Sequence, residues 1–214
     1  MAGQGSVAPL VGHYFDDDPA APSDPRSVPL VLPDLAVTLT ADTGVFSGDA
    51  VDPGTRLLLL EGPRLPAGGD LLDLGCGYGP IAVTMARRSP EATVWAVDVN
   101  RRALALTAAN ADAAGCTNVV VAAPEEVPED IRFAAIWSNP PIRIGKEALH
   151  ELLVRWLPRL VPAGRAVLVV QKHLGADSLT TWLGSVGHPT ERLTSRMGYR
   201  LLSVAGAPAQ EGVT

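Results

Sequence analysis

The chain has 214 residues, 47% of them hydrophobic and 19% charged, with a formal net charge of −6 at pH 7. That length supports one substantial core and is too short for two ordinary domains plus a linker. The acidic balance excludes a protein that coats nucleic acid non-specifically, which needs clustered Lys and Arg, but leaves room for a local basic patch. Within the first 29 residues lie Pro9, Pro19, Pro22, Pro25 and Pro29 together with Asp16, Asp17 and Asp18. An irregular segment over 1–26 is expected, followed by a single domain over 27–209. No uniformly apolar stretch reaches transmembrane length and no basic region leads into a hydrophobic block, so the chain reads as soluble and cytoplasmic. Cys76 and Cys116 are the only cysteines, in no metal-ligand spacing, and no metal site is expected.

In chain order, "PLVLPDLAVTLT" (29–40) reads as a hairpin and "PGTRLLLLEG" (53–62) as a short helix. "LLDLG" (71–75) is a buried strand, and Pro80 takes the first position of the helix "PIAVTMARR", which Ser89 and Pro90 end. "TVWAVDV" (93–99) is the next strand; Asn100 caps the helix "RRALALTAANADAA", with Gly115 as its stop. "NVVVAA" (118–123) and "RFAAIWS" (132–138) are short, β-branched or aromatic strands. A helix over 146–157, the strand "RAVLVVQ" (165–171), a helix around 176–184 and an antiparallel pair, "TERLTS" and "YRLLSVA", complete the chain. Strands alternating with helices predict an α/β sandwich with a parallel sheet.

Asp73, Gly75, Gly77 and Gly79 spell D-x-G-x-G-x-G at the first strand-to-helix turn. Glycines there let the backbone approach a ligand, and the helix start behind them is expected to present free N–H groups. Asp98, at the end of the next strand, can accept two hydrogen bonds from a ribose diol. Together they describe a nucleoside-binding crevice. A dinucleotide-dependent oxidoreductase would space its glycines G-x-G-x-x-G, with the third one residue later.

After the fourth of these strands comes "SNPPI" (138–142). Pro140 and Pro141 donate no N–H, fix their own φ and stiffen the residue before each. Alone, Asn-Pro-Pro is a rigid loop; here the carbonyl oxygens of Asn139 and Pro140 are held outward beside the crevice.

These motifs resemble class I S-adenosylmethionine-dependent methyltransferases. With "TGVFSGDAVDPGTRLLL" (43–59), "DLGCGYGPI" (73–81), "VDVNRRAL" (97–104), "SNPPIRIGKEALHELL" (138–153) and "QKHLGADS" (171–178), the resemblance narrows to the small-domain methyltransferase family, which includes ribosomal RNA guanine-N2 methyltransferases of the small subunit. It implies a Rossmann-like fold with a seven-stranded, mostly parallel sheet, helices on both faces and an N-terminal β-hairpin extension. It implies S-adenosylmethionine as cofactor, with S-adenosylhomocysteine as product, held by Asp73, Gly75, Cys76, Gly77, Gly79, Asp98 and Val99, with Phe46 as a cap and Glu125 at the adenine amine. Larger relatives carry a further N-terminal methyltransferase-like domain, and this chain is expected to be a one-domain version.

The resemblance also assigns the chemistry. An exocyclic or amide nitrogen has a delocalised lone pair and is a poor nucleophile. If the Asn139 side-chain oxygen and the Pro140 carbonyl each accept one of its N–H groups, the nitrogen is positioned with its lone pair toward the methyl. Pro141 and Ile142 would lie against the substrate; many relatives have an aromatic residue where this chain has Ile142, which offers less than the roughly 1 to 3 kcal/mol of an aromatic stack on a base. Arg143, Lys146, Lys172 and His173 are candidates for RNA phosphate contacts. The expected partner is ribosomal RNA or the small ribosomal subunit, with no membrane and no metal, and the protein acting as a monomer or weak dimer. Adenine N6 or a protein glutamine amide could take the place of guanine N2, and a non-catalytic S-adenosylmethionine-binding assembly factor would carry the same glycine loop.

Overall fold

The computed structural model describes residues 22–45, 50–140 and 145–206. Strands β1 (Arg26–Leu32) and β2 (Leu35–Ala41) pair antiparallel around a turn at Pro33 and Asp34. On β1, Val28, Leu30 and Leu32 are buried while Pro29 and Val31 face outward, the period-2 pattern of a half-buried strand. The chain continues through α1 (Pro53–Glu61), β3 (Gly68–Leu74), α2 (Pro80–Arg88), β4 (Glu91–Val97), α3 (Arg101–Ala113), β5 (Val119–Ala122) and β6 (Phe133–Ser138). It ends with α4 (Lys146–Trp156), β7 (Leu160–Gln171), α5 (Ala176–Ser185), β8 (Thr190–Arg196) and β9 (Tyr199–Ala205).

Strands β3 to β9 form one seven-stranded sheet in the order β5-β4-β3-β6-β7-β9-β8. The first five pair parallel, while β9 runs antiparallel to both β7 and β8. Alternate strand residues serve opposite layers. Val167 and Val169 of β7 join Leu57, Leu58, Ile81 and Met85 of α1 and α2. Leu168 and Val170 join Leu149 and Leu153 of α4 and Leu179 and Leu183 of α5. The expected fold, a mostly parallel sheet covered on both faces with a separate hairpin, is the one found.

The hairpin packs on α2 and α3, and its apolar face belongs to the same core as α1 and α2. Polar contacts add to this burial. Asn110 of α3 donates to the Thr40 carbonyl and accepts from the Thr40 N–H, both at 2.8 Å. Arg88 reaches the Asp34 carboxylate, but that pair is 24% and 49% exposed. A pair so exposed contributes about 1 kcal/mol or less, against roughly 1.5 to 3 kcal/mol for each fully buried side chain such as Leu30 and Leu39, so apolar burial dominates the docking.

The largest departure from the sequence-based bounds is in β7. β7 begins at Leu160, five residues before the predicted start, and takes in Pro162 and Gly164. Its pairing with β6 shifts register between Phe133 and Ala135, so these strand-breaking residues occupy an irregular stretch. A Cβ on Gly164 would lie 2.9 Å from the Phe133 carbonyl oxygen, which explains the glycine.

Successive strands run outward from β3 through β4 to β5, and from β6 to β7 on the other side. The order therefore reverses between β3 and β6. In open α/β sheets the C-terminal ends of strands at such a switch point form the ligand crevice.

Candidate active site

Two strand ends are tied together at that switch point. The buried Ser138 hydroxyl donates to the Leu74 carbonyl at 2.7 Å, so Gly75 and Asn139 leave the sheet side by side. The glycine loop then folds across the end of β4: Gly75 and Cys76 both donate backbone N–H to the Val97 carbonyl, at 2.8 and 3.0 Å. Gly77 donates to Asp98 Oδ2 at 2.9 Å, and Gly79 to the Cys76 carbonyl at 2.9 Å. Gly75 and Gly79 have φ of 77° and 90°, where a side chain is strained. A Cβ on Gly75 would meet nothing within 4 Å, leaving open space for a ligand; one on Gly79 would come within 3.0 Å of the Thr107 side chain.

Of the first N–H groups of α2, Pro80 has none and Ala82 donates to Asp73 Oδ2 at 2.8 Å, so fewer donors are free at that helix start than the sequence predicts. A pyrophosphate cofactor would need those donors. A nucleoside held through its ribose and its faces does not, and S-adenosylmethionine carries no phosphate.

Asp98 is half-buried and takes two backbone donors, Gly77 on Oδ2 and Asn100 on Oδ1, the latter at 3.0 Å. Each oxygen keeps a further acceptor position for a hydroxyl. Burial raises its pKa above the ordinary carboxylate value, against the lowering effect of those N–H groups. Val99 beside it is 40% exposed. Asp73 is fully buried and Oδ1 has no partner among the described residues, so burial pushes its pKa well up. It anchors α2 from beneath the loop. The Cys76 thiol is buried, receives the Thr107 hydroxyl at 3.5 Å, and is also pushed up by burial. Glu125 is exposed; the carboxylate that turns back to the end of β5 is that of Glu126, accepting from the Ala123 N–H at 2.7 Å.

Asn139 is half-buried, and its amide nitrogen is doubly engaged. Nδ2 donates to Asp52 Oδ1 at 2.8 Å and to Thr55 Oγ1 at 3.0 Å. Both protons are used, and the oxygen is the end left for another molecule. Asp52 is the N-cap of α1, its Oδ1 also accepting from the Gly54 and Thr55 N–H groups at 2.8 and 3.1 Å. Tyr78 is buried next to this cluster. Its hydroxyl has no partner among the described residues, and burial together with the Asp52 charge pushes its pKa up. Sequence reasoning missed Asp52 and Thr55 as members of the site. The visible signal was the D-P-G-T helix start, which gives the cap and not its distant partner.

Pro140 is buried. Lys146 opens α4, and Lys172 and His173 follow β7; all three are exposed at the C-terminal edge of the sheet. Pro141, Ile142 and Arg143 lie outside the described residues, as does Phe46. The chain before Phe46 is held at one end of the crevice, where Asn100 Nδ2 donates to the Gly44 carbonyl at 3.0 Å and Arg102 to that of Thr43 at 2.7 Å. His150 stacks on Trp182 with ring centroids 3.6 Å apart, a packing role.

The chain is similar to several known proteins. YbxB of Bacillus subtilis is 34% identical over 195 residues, covering 89% of this chain and 96% of its own. Ribosomal RNA small subunit methyltransferase C of Pseudomonas aeruginosa is 34% identical over 179 residues, covering 81% of this chain and 52% of its own, so the chain spans about half the length of such relatives. The solved T. thermophilus 16S rRNA N2 methyltransferase, in complex with AdoMet and guanosine, superposes with a TM-score of 0.68 at 26% identity, over 87% of this chain and 52% of the other. The methyltransferase small domain model matches residues 36–203. With a glycine loop that suits a phosphate-free nucleoside and a family match across most of its length, the chain belongs to the small-domain family of S-adenosylmethionine-dependent methyltransferases.

Proposed function

We propose that this chain methylates the exocyclic N2 amine of a guanine in small-subunit ribosomal RNA. The observation that carries this reading is the Asn139 amide, whose nitrogen is occupied by Asp52 and Thr55 and whose oxygen is free to accept. An amine with two N–H groups needs two acceptors, and the Pro140 carbonyl supplies the second. Ribosomal RNA small subunit methyltransferases among the relatives and the guanosine-bound structural neighbour support the choice of substrate.

S-adenosylmethionine supplies a methyl group on a positively charged sulfur. On this reading, Asp98 accepts from its ribose hydroxyls, Val99 and Phe46 contact it, Gly75, Cys76, Gly77 and Gly79 give it a close backbone wall, and Asp73 holds that wall to α2. Glu125 is the group offered to its adenine amine. Asn139 and Pro140 orient the substrate amine, and the proton lost after methylation leaves an acidic cation, so no strong base is required. Pro141 and Ile142 cover the base, while Arg143, Lys146 and Lys172 meet RNA phosphates in the cytoplasm, where ribosomal subunits assemble. With a net charge of −6, RNA affinity depends on that local rim. The domain doing this is taken as 27–209, after the segment 1–26.

The test is a map of methylated nucleosides in ribosomal RNA from cells with and without the gene, followed by addition of the purified chain and tritiated cofactor to the unmethylated subunits. One N2-methylguanosine is expected to disappear and to be restored. Label that enters protein or adenine, or none at all, overturns the proposal.

A further inference from the structure

A primary amide is nearly symmetric in shape, so rotating its last torsion by half a turn exchanges oxygen and nitrogen with little steric change. For Asn139 the two orientations are chemically opposite. One offers the substrate amine an acceptor; the other sets donor against donor. Something must select between them.

We propose that Asp52 and Thr55 are positioning residues for methyl transfer, locking the Asn139 amide with its oxygen toward the substrate. This rests on the reading of Asn139 as the acceptor for the target amine. The two partners differ in kind. A hydroxyl such as that of Thr55 can donate as well as accept and would tolerate either orientation, whereas the carboxylate of Asp52 accepts only. Asp52 is therefore the selector, and Thr55 takes the second amide proton. The selector is itself fixed, because the oxygen that faces Asn139 also caps the Gly54 and Thr55 N–H groups. Gly54 makes room: a Cβ there would lie 2.9 Å from Asp52 Oδ1 and 2.7 Å from the Tyr199 ring. A donor pair engaged by a carboxylate also polarises the amide oxygen, strengthening the acceptor where positive charge develops on the substrate nitrogen. The start of α1 thus serves as a holder for a residue 87 positions away in sequence.

The experiment separates this role from helix capping. Asp52→Ser keeps a good N-cap but is too short to reach Asn139; Asp52→Asn keeps an oxygen in the shared position, held there by the same two N–H groups. Thermal unfolding, cofactor Kd, kcat and KM are measured for both, with Thr55→Val and Thr55→Ser beside them. In the RNA-free protein, exchange of the Asn139 side-chain NH2 protons is followed by 15N NMR, the signals assigned by their loss in Asn139→Ala. Asp52→Ser is expected to hold Tm and cofactor Kd while kcat falls about tenfold or more and NH2 exchange accelerates. Asp52→Asn and Thr55→Ser should restore kcat to within a few-fold, and Thr55→Val should lie between. A purely structural role predicts that Asp52→Ser restores kcat, and that outcome, or unchanged NH2 exchange in Asp52→Ser, overturns the lock. Because exchange is read without RNA, failure of the wild type to methylate RNA would remove the substrate assignment and still leave the lock decided.

Discussion

The backbone N–H of Gly77 donates to Asp98 Oδ2 at 2.9 Å, so the loop leaving β3 is fastened to the residue that follows β4. One carboxylate therefore shapes the glycine wall and offers the ribose acceptor. Asp98→Ala removes both functions. A hydrogen bond to a charged group contributes about 1.5 to 3 kcal/mol, so the Kd for S-adenosylhomocysteine should rise about 10- to 100-fold by isothermal titration calorimetry. Asp98→Asn, which keeps the shape and one acceptor oxygen, should fall between. Equal affinity in all three proteins would remove Asp98 from the cofactor site.

Asn139→Ala should separate binding from chemistry. Loss of one preorganised polar group at a reacting centre costs about 10²- to 10³-fold in kcat, and cofactor Kd should stay within twofold of wild type. Asn139→Asp should do no better at neutral pH. It turns a carboxylate oxygen toward Asp52 where an N–H now sits at 2.8 Å, and two facing carboxylates cannot both stay ionised. Radiolabel transfer to RNA under saturating cofactor measures both variants; a kcat near wild type in either would show that the acceptor is another group.

The elements around this crevice were largely legible because each carries a local signal. Pro80 opens α2 and Asn100 caps α3, accepting from the Arg102 and Ala103 N–H groups, as their chemistry predicts. The D-x-G-x-G-x-G spacing from Asp73 marks the loop in the sequence itself. What escaped was non-local. Nothing near Asn139 in sequence announces Asp52 and Thr55, because the sheet order, not the spacing, brings α1 to the end of β6. The engagement of one helix-start donor was hidden for the same reason: Asp73, at the far side of the glycine loop, takes the Ala82 N–H, while Val97 and Asp98 of the neighbouring strand end take those of the loop. The early part of β7 was hidden by Pro162 and Gly164, residues that a regular strand interior disfavours and an irregular stretch accepts.

Gly79 should be intolerant of even one methyl group. Its φ of 90° is unfavourable for any L side chain, and an added Cβ would sit 3.0 Å from Thr107 Oγ1 and Cγ2 and 3.3 Å from Thr107 Cα. Gly79→Ala should cost about 1 to 2 kcal/mol from the backbone alone, with overpacking adding to it. Thr107→Ala in the same chain removes the nearest atoms but also the hydroxyl that donates to the Gly77 carbonyl at 2.9 Å, so the double variant should recover only part of the loss. Urea denaturation of the two single variants and the double one gives the coupling; strictly additive losses would show that the methyl and Thr107 do not collide.

Asp73 should make stability fall as pH rises, the reverse of the usual carboxylate. Burial, aided by the Asp98 charge and opposed by the Ala82 N–H, holds its native pKa well above the ordinary 3.8. Between 3.8 and the raised native value the folded protein binds more protons than the unfolded chain, so unfolding free energy decreases with pH across that window. The contribution is fully present below 3.8 and is lost as pH climbs through the native pKa. Asp73→Asn cannot titrate, yet its amide oxygen can still accept from Ala82. Asp34 and Asp42, whose pKa values are lowered, contribute the opposite slope in both proteins and cancel in the comparison. The difference in unfolding free energy, wild type minus Asp73→Asn, should therefore decline from about pH 4 upward and then level off. Urea titrations at intervals to about pH 8 measure it, and a flat difference would mean that Asp73 is ionised in the folded protein throughout.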